Sequence, residues 1–473
     1  MTHTVEKIGG ASMARVNELR DTLFKVGDSD PYGRIFVVSA FGGITNLLLE
    51  HKKSGEPGVY AQFANADNDH GWHDAMDRVV AAMVAAHRKV LDHSADVERA
   101  DAFVRDRTEG ARSCLVDLHR LCGYGHFRLS EHMLQLRELL SGLGEAHSAF
   151  VTTLMLQRAG LNARCVDLSG WRDDADLTLE ERINNAMDRI DPATEMPIVT
   201  GYAQCREGLM REFDRGYSEV TFSRLAALTG AREATIHKEF HLCSADPNLV
   251  GVDTVRKLGR TNYDVADQMS NMGMEAIHPK AAKTLRQADV PLRVRNAFEP
   301  HDPGTLIDDQ PAEEAAVEIL TGLDIIALEL FEQDMVGVKG YDTTILETLR
   351  RHNVRIVSKV SNANTITHYL DSSLKVMRRV EKDLARQYPS ARILARPMAM
   401  VSVIGRDLGG LSVLTHGLST IADAGLSAIG ASQGPRNVDV QFIFERDDLQ
   451  PAIRALHRNF IEAPASEALE KAA

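Results

Sequence analysis

The chain lacks the features that mark secreted, membrane-embedded or disulfide-stapled proteins. Its five cysteines (Cys114, Cys122, Cys165, Cys205 and Cys243) are scattered and form no C-x-x-C pair. They read as reduced thiols, and their spacing argues against a thiolate zinc site. No apolar run nears the roughly 18 residues that cross a bilayer, and the start has no leader-like pattern, so a cytoplasmic protein is expected. Positive charge is in deficit: 54 basic against 67 acidic side chains leaves −13, which argues against a general nucleic-acid binder. Also missing at the N-terminal glycine turns are the P-loop pattern G-x-x-x-x-G-K-[ST] and the dinucleotide fingerprint G-x-G-x-x-G. What remains is a soluble globular composition, 44% hydrophobic and 26% charged, over 473 residues, enough for two to four domains.

Two stretches stand out. Val5-Glu6-Lys7-Ile8-Gly9-Gly10-Ala11-Ser12 and Val37-Val38-Ser39-Ala40-Phe41-Gly42-Gly43-Ile44-Thr45-Asn46 are each a short β-branched run that breaks into Gly-Gly and then a helical pattern. In an α/β sheet this layout leaves bare N–H groups at the carboxyl ends of strands, where phosphate is favoured. Glycine lets the main chain approach an anion without a Cβ in the way, and Lys7 supplies a mobile positive charge. The plainer alternative is a pair of ordinary strand-to-helix turns.

Residues 70–160 carry apolar side chains at helical spacing, and their Met and Leu stripes read as core. Strands are expected at 163–168, 197–202 and 233–237, with a helix over 218–229. Alternation of this kind predicts an α/β fold with a mainly parallel sheet covered by helices. The acidic run at 308–314 reads as a connector. Beyond it a β-α-β-β-α order occurs twice, with strands at 324–330, 354–360 and 364–369, then at 398–404, 426–431 and 438–444; this is the ferredoxin-like motif.

The ordered motifs resemble those of aspartate kinases, in the amino-acid kinase family. Lys7-Ile8-Gly9-Gly10-Ala11-Ser12 is similar to the family's Lys-Phe-Gly-Gly-Thr-Ser opening, and the 37–46 stretch to its second loop. Leu143-Gly144-Glu145, Asp214-Arg215-Gly216-Tyr217-Ser218-Glu219 and Ile277-His278-Pro279 follow in the family's order, and the tail resembles a tandem ACT pair. The resemblance implies a kinase domain over 1–307, a connector at 308–320, ACT domains at 321–390 and 391–465, and a tail at 466–473.

The implied reaction is phosphorylation of the side-chain carboxylate of L-aspartate by ATP with Mg²⁺. Two anions must be brought together, which calls for cations and N–H donors more than for a strong base. By resemblance, Lys7, Arg215 and Glu219 are the catalytic candidates. Ser39, Thr45, Glu145, Arg215 and Ser218 would bind aspartate, Glu145 taking its ammonium and Arg215 its carboxylate. Lys7, Gly9, Gly10, Ser12, Lys238 and His241 would hold ATP. No dedicated metal cage is expected; a site on His237 and His241, with Glu239 between them, is disfavoured because the segment reads as strand and loop.

Departures from the family pattern cluster in the nucleotide segment. Cys243 stands for the tyrosine, Asn248 for the final arginine, and Glu275 for the lysine before His-Pro. These departures, with Lys238-Glu239-Phe240-His241-Leu242, resemble the divergent aspartate kinases associated with ectoine synthesis. In the first ACT unit Val357 takes the place of an aspartate that pairs with effector lysine, so weak lysine inhibition is expected. An amino-acid effector at the ACT domains and a homodimer or higher even oligomer follow from the same resemblance. Two alternatives stay open: a catalytically weak regulatory subunit, and a kinase of this fold with another acceptor.

Overall fold

The computed structural model describes residues 3–25, 30–52, 54–65, 70–213, 216–274, 276–310 and 314–462. Contacts divide the chain into two compact units, Met1–His241 with Ile277–Asp309, and Leu242–Ala276 with Gln310–Ala473.

The first unit opens with β1 (Thr4–Ile8), the short turn of helix α1 (Gly10–Met13), β2 (Arg34–Val38) and α2 (Ile44–Leu48). Three long helices follow: α3 (His70–Val90), α4 (Ser94–Cys122) and α5 (Leu129–Arg158). Then come β3 (Ala163–Val166), β4 (Met196–Thr200), α6 (Tyr217–Leu228), β5 (Glu233–Lys238), α7 (Pro279–Gln287), β6 (Leu292–Asn296) and β7 (Thr305–Asp308). These strands lie side by side in the order β3-β4-β2-β1-β5-β6-β7. The first six are parallel and β7 returns antiparallel on β6. The central strands are buried on both faces, as in the fully buried runs of β1 and β4, which is why they read as apolar runs without alternation. Helix α5 is likewise buried around its circumference from Leu140 to Leu156, apart from the half-covered Phe150. It therefore forms the spine against which the sheet and the second glycine loop pack.

The second unit is built on β8 (Ala316–Phe331), α8 (Tyr341–Arg351), β9 (Arg355–Ser361), β10 (Thr365–Asp371) and α9 (Leu374–Gln387). It continues through β11 (Arg392–Arg406), α10 (Val413–Asp423), β12 (Gly430–Gln433), β13 (Asp439–Glu445) and α11 (Leu449–His457). One antiparallel sheet runs β9-β10-β8-β11-β13-β12. Strands β8 and β11 pair along almost their whole length. The second half of β8 pairs with β10 and with the first half of β11. The second half of β11 pairs with β13 and with the first half of β8. Each ferredoxin-like half thus completes its four strands with one borrowed from the other. Two cores result, one around Leu328, Leu349, Met377 and Leu384, the other around Val401, Phe442, Ile453 and Leu456.

Three sequence expectations change. Residues 316–320 are strand rather than connector, because they supply the fourth strand of the second half. The strand expected at 426–431 forms at Gly430–Gln433 instead. Residues 242–276, expected within the kinase domain, group with the second unit. There, Leu249 and Val250 pack on the second core, Leu320 donates its amide to the Ser244 carbonyl (2.7 Å), and Arg454 Nε donates to the Leu249 carbonyl. Ser244 and His457, both fully buried, lie 2.9 Å apart. His457 Nδ1 faces the Glu462 carboxylate at 2.8 Å. The carboxylate can only accept, so Nδ1 carries the proton and Nε2 accepts from the Ser244 hydroxyl. Buried on both sides of the contact, this Ser-His-Glu array is a structural clamp.

Candidate active site

Within the first unit, most of the predicted site residues converge at the carboxyl ends of the parallel strands, where open α/β sheets bind ligands. Lys7 sits near the end of β1, Ser39 just after β2, Gly201 just after β4, and Lys238 at the end of β5. Lys7 Nζ lies 3.3 Å from Glu219 Oε1 in a mostly buried ion pair. Glu219 also accepts from the His278 backbone amide. Burial alone would raise the Glu219 carboxyl; the Lys7 and Lys238 charges, with that amide, outweigh it and hold the group below the usual carboxylate range.

Glu145 projects from α5 and is 2% exposed. It accepts a 2.6 Å hydrogen bond from the Ser218 hydroxyl, while its Oε2 has no hydrogen-bond partner among the described residues. Burial pushes its carboxyl up to about 8, against the opposing pull of Ser218 and Lys7. A buried carboxyl with an open oxygen is prepared to meet a cation. Gly201 lies against this carboxyl, and a Cβ there would lie 2.7 Å from the Ser218 Cβ and 2.9 Å from Glu145 Oε2, so only glycine fits. Ser218 and Glu219 lie in the first turn of α6, preceded by Gly216 at φ 97°. Arg215, together with Asp214, lies outside the described residues.

The second loop carries Ser39 and Thr45, whose hydroxyls have no partner among the described residues. Helix α5 holds this loop from beneath: Ser148 donates to the Ser39 carbonyl (2.8 Å). At Gly144 a Cβ would come within 2.9 Å of Ala40 Cβ and 3.1 Å of Ile44 Cγ2. Gly9 and Gly10 start α1, whose first turn has no side-chain cap, leaving its N–H groups for another partner. Gly9 N–H itself reaches the His237 carbonyl at 3.4 Å. Ser12 is fully buried and donates to Glu239 Oε1 at 2.6 Å, so its hydroxyl is already engaged.

Two nucleotide-segment candidates are placed differently from expectation. His241 turns towards the carboxylates of Glu299 (3.0 Å from Nε2) and Asp302 (3.7 Å from Nδ1). These three residues bring ligating atoms within 4.8 Å of one another, although Glu299 also takes the Asn296 amide. His237 points the other way, into a buried cluster with Glu6 (2.7 Å), which Arg34 grips by two hydrogen bonds. That is why His237 and His241 do not form a pair: successive strand residues face opposite sides, and four positions carry the chain past the strand end. Sequence reasoning missed Glu239, the His278 amide and Ser148, whose signals are contacts between distant segments. A cavity of about 760 Å³ lies on the α3 side of the second loop, bordered by Gly42, Gly43, Asn46 and Ala82. Lys7, Glu145 and Ser218 do not line it.

A sequence profile described as the amino acid kinase family matches residues 3–296. Over 97% of this chain and 98% of the relative, the sequence is 49% identical to the aspartate kinase Ask_Ect of Stutzerimonas stutzeri (strain A1501). It is 23% identical to the chloroplastic aspartokinase 3 of Arabidopsis thaliana, over 99% of this chain and 83% of that one. Among solved structures, E. coli aspartokinase III in complex with lysine and aspartate aligns with a TM-score of 0.72 at 18% identity, covering 97% of this chain and 99% of that one. The Clostridium acetobutylicum aspartate kinase aligns at 0.69 and 16% identity, over 98% and 100%. The profile match over most of the chain and the near-full-length relative at 49% identity agree with the fold, and the chain belongs to the aspartate kinases of the amino acid kinase family.

Proposed function

We infer that this protein catalyses transfer of the γ-phosphoryl group of ATP to the side-chain carboxylate of L-aspartate. A carboxylate oxygen bonds to phosphorus, the bond from phosphorus to the β,γ-bridging oxygen breaks, and ADP leaves with the electron pair, giving 4-phospho-L-aspartate. The observation that carries this reading is the pairing of two polar centres at one sheet edge, Glu145–Ser218 and Lys7–Glu219.

In this reading the buried Glu145 receives the substrate ammonium, with Ser218, Ser39 and Thr45 as hydroxyl partners and Arg215 as partner of the α-carboxylate. Lys7 moves from Glu219 to the phosphates and offsets charge as the two anions approach. Gly9 and Gly10 admit the phosphates close to the main chain. Lys238, whose charge already acts on Glu219, adds to the positive field. Mg²⁺ is held largely by substrate phosphates in such sites, and the carboxylates of Glu219 and Glu239 are oxygen donors of the kind it takes; bound there it would neutralise phosphate charge. The name of the 49% identical relative supports a role in ectoine synthesis. No helix among the described residues is long and apolar enough to cross a membrane, which accords with action in the cytoplasm, and a homo-oligomer of even order is the assembly we expect.

The test is ATP-dependent hydroxamate formation from L-aspartate, with L-glutamate as control, using the purified chain and Mg²⁺. Aspartate-selective turnover is expected. Turnover with neither acid by the folded chain would sink the reading.

A further inference from the structure

Behind the second glycine loop lies a buried polar array that the proposed chemistry does not use. His147 on α5 and His87 on α3 are both fully buried, and His147 Nε2 lies 3.1 Å from His87 Nδ1. His87 Nε2 in turn lies 2.9 Å from Asp101 Oδ1 on α4, and Arg88 holds the other carboxylate oxygen at 3.0 Å. The protons are fixed by elimination. An ionised carboxylate only accepts, so His87 carries its proton on Nε2, and its Nδ1 must accept from His147 Nε2–H. His147 Nδ1 is then a bare lone pair, and it has no partner among the described residues. Burial lowers the His147 imidazole to about 3, so the ring stays neutral.

Burying an imidazole nitrogen without a donor is unfavourable, a cost that leucine or phenylalanine would avoid in the same space. What the histidine provides is a fixed ring angle. Its ring meets Phe41 edge-on, with centroids 5.4 Å apart and planes at 71°. Phe41 stands between Ser39 and Thr45, and Gly42 and Gly43 follow it directly, Gly43 at φ 88°. A loop with two adjacent glycines does not hold its own shape; buried side chains fix it, and Phe41 is the aromatic one among them, beside Ile44. We propose that His147, locked by His87 and Asp101, is a positioning residue that sets Phe41 and through it the spacing of the Ser39 and Thr45 hydroxyls. This rests on the acceptor-loop reading above.

Steady-state kinetics of the full chain, varying aspartate and ATP separately, test it in H147L, H147Q, D101N and T45V. H147L should raise KM for aspartate about fivefold or more, as misplacement of a positioning group does, with KM for ATP within about twofold of wild type. In H147Q the amide N–H can replace Nε2–H toward His87, and KM for aspartate should return to within about twofold of wild type. An unchanged KM for aspartate in H147L, or equal rises in both KM values, would overturn the proposal. If H147L does not fold, D101N, which alters a partly exposed carboxylate, should move the same constant in the same direction, and no movement overturns the proposal. If T45V raises KM for aspartate while H147L does not, the proposal falls alone. If neither does, the acceptor-loop reading falls and takes the proposal with it.

Discussion

Lys7 and Glu219, 212 positions apart in sequence, form a mostly buried 3.3 Å ion pair at the carboxyl end of the sheet. The pair stores the lysine's charge next to the phosphate cradle while no nucleotide is bound. Replacing Lys7 with alanine removes the group proposed to neutralise phosphate and leaves Glu219 without its ion-pair partner. We expect K7A to lower kcat about 10²–10³-fold, the scale for losing one transition-state stabiliser. The hydroxamate assay measures it, and activity near wild type would refute the role of Lys7.

With Glu145 as the proposed receiver of the substrate ammonium, aspartate binding becomes a proton-linked event. Burial raises its carboxyl from 4.5 to about 8, so the empty folded chain holds a proton there between those values. The unfolded chain does not, so this group's contribution to stability is full below its unfolded pKa and is lost as pH rises through the folded one. E145Q, permanently neutral, should therefore gain stability relative to wild type as pH rises from about 4.5 to about 8, and keep that gain above it, in thermal melts. An arriving ammonium favours the carboxylate, so binding should release a proton near neutral pH. Calorimetry in two buffers of different ionisation heat reads that release directly. Binding heats that do not depend on the buffer would contradict it.

Much of this centre was legible in sequence because it rests on short local motifs. Lys7 with its glycines, Glu145 after Leu143-Gly144, and Ser218-Glu219 at a helix start each carry their chemistry within a few residues. The His147–His87–Asp101 array was not, since each histidine lies in a helical run that reads as core and the contact closes over 60 positions. The strand at 316–320 was hidden by the acidic run before it, and its pairing partner lies more than 80 residues onward. The carboxylates beside His241, which sequence places near the ATP phosphates, come from Glu299 and Asp302, about 60 residues away, and no local signal shows them.

Lysine should inhibit weakly through the first ferredoxin-like half. Val357, the position that the family resemblance aligns with an effector-binding aspartate, is 8% exposed. The nearby Asp342 is already bound by Lys359 and lies 3.3 Å from the buried His368. A cationic effector would have to displace a lysine to gain a counter-charge. Activity titrated with lysine should stay near its starting value into the millimolar range, and strong inhibition below that range would contradict this.

The Ser244–His457 clamp joins residues of the altered nucleotide segment to helix α11 within the second unit. H457A would strip the buried Ser244 hydroxyl of its acceptor and open a cavity. A loss of about 2–3 kcal/mol is expected, against about 1–2 kcal/mol for S244A, in which the imidazole loses one bond and the Arg256 N–H loses its acceptor. Urea unfolding of both variants would measure the difference, and equal small losses would show that the imidazole packs there without bearing on the hydroxyl.

The interlaced β8 and β11 place a limit on how this chain can be rearranged. A break in the interval between α9 and β11 would leave the upstream piece without its fourth strand and the downstream piece without its own, each with a raw hydrogen-bonding edge that invites aggregation. Gene fusions, truncations and swaps of effector specificity with related chains therefore have no clean cut inside residues 316–457. The two halves stand or fall as one folding piece.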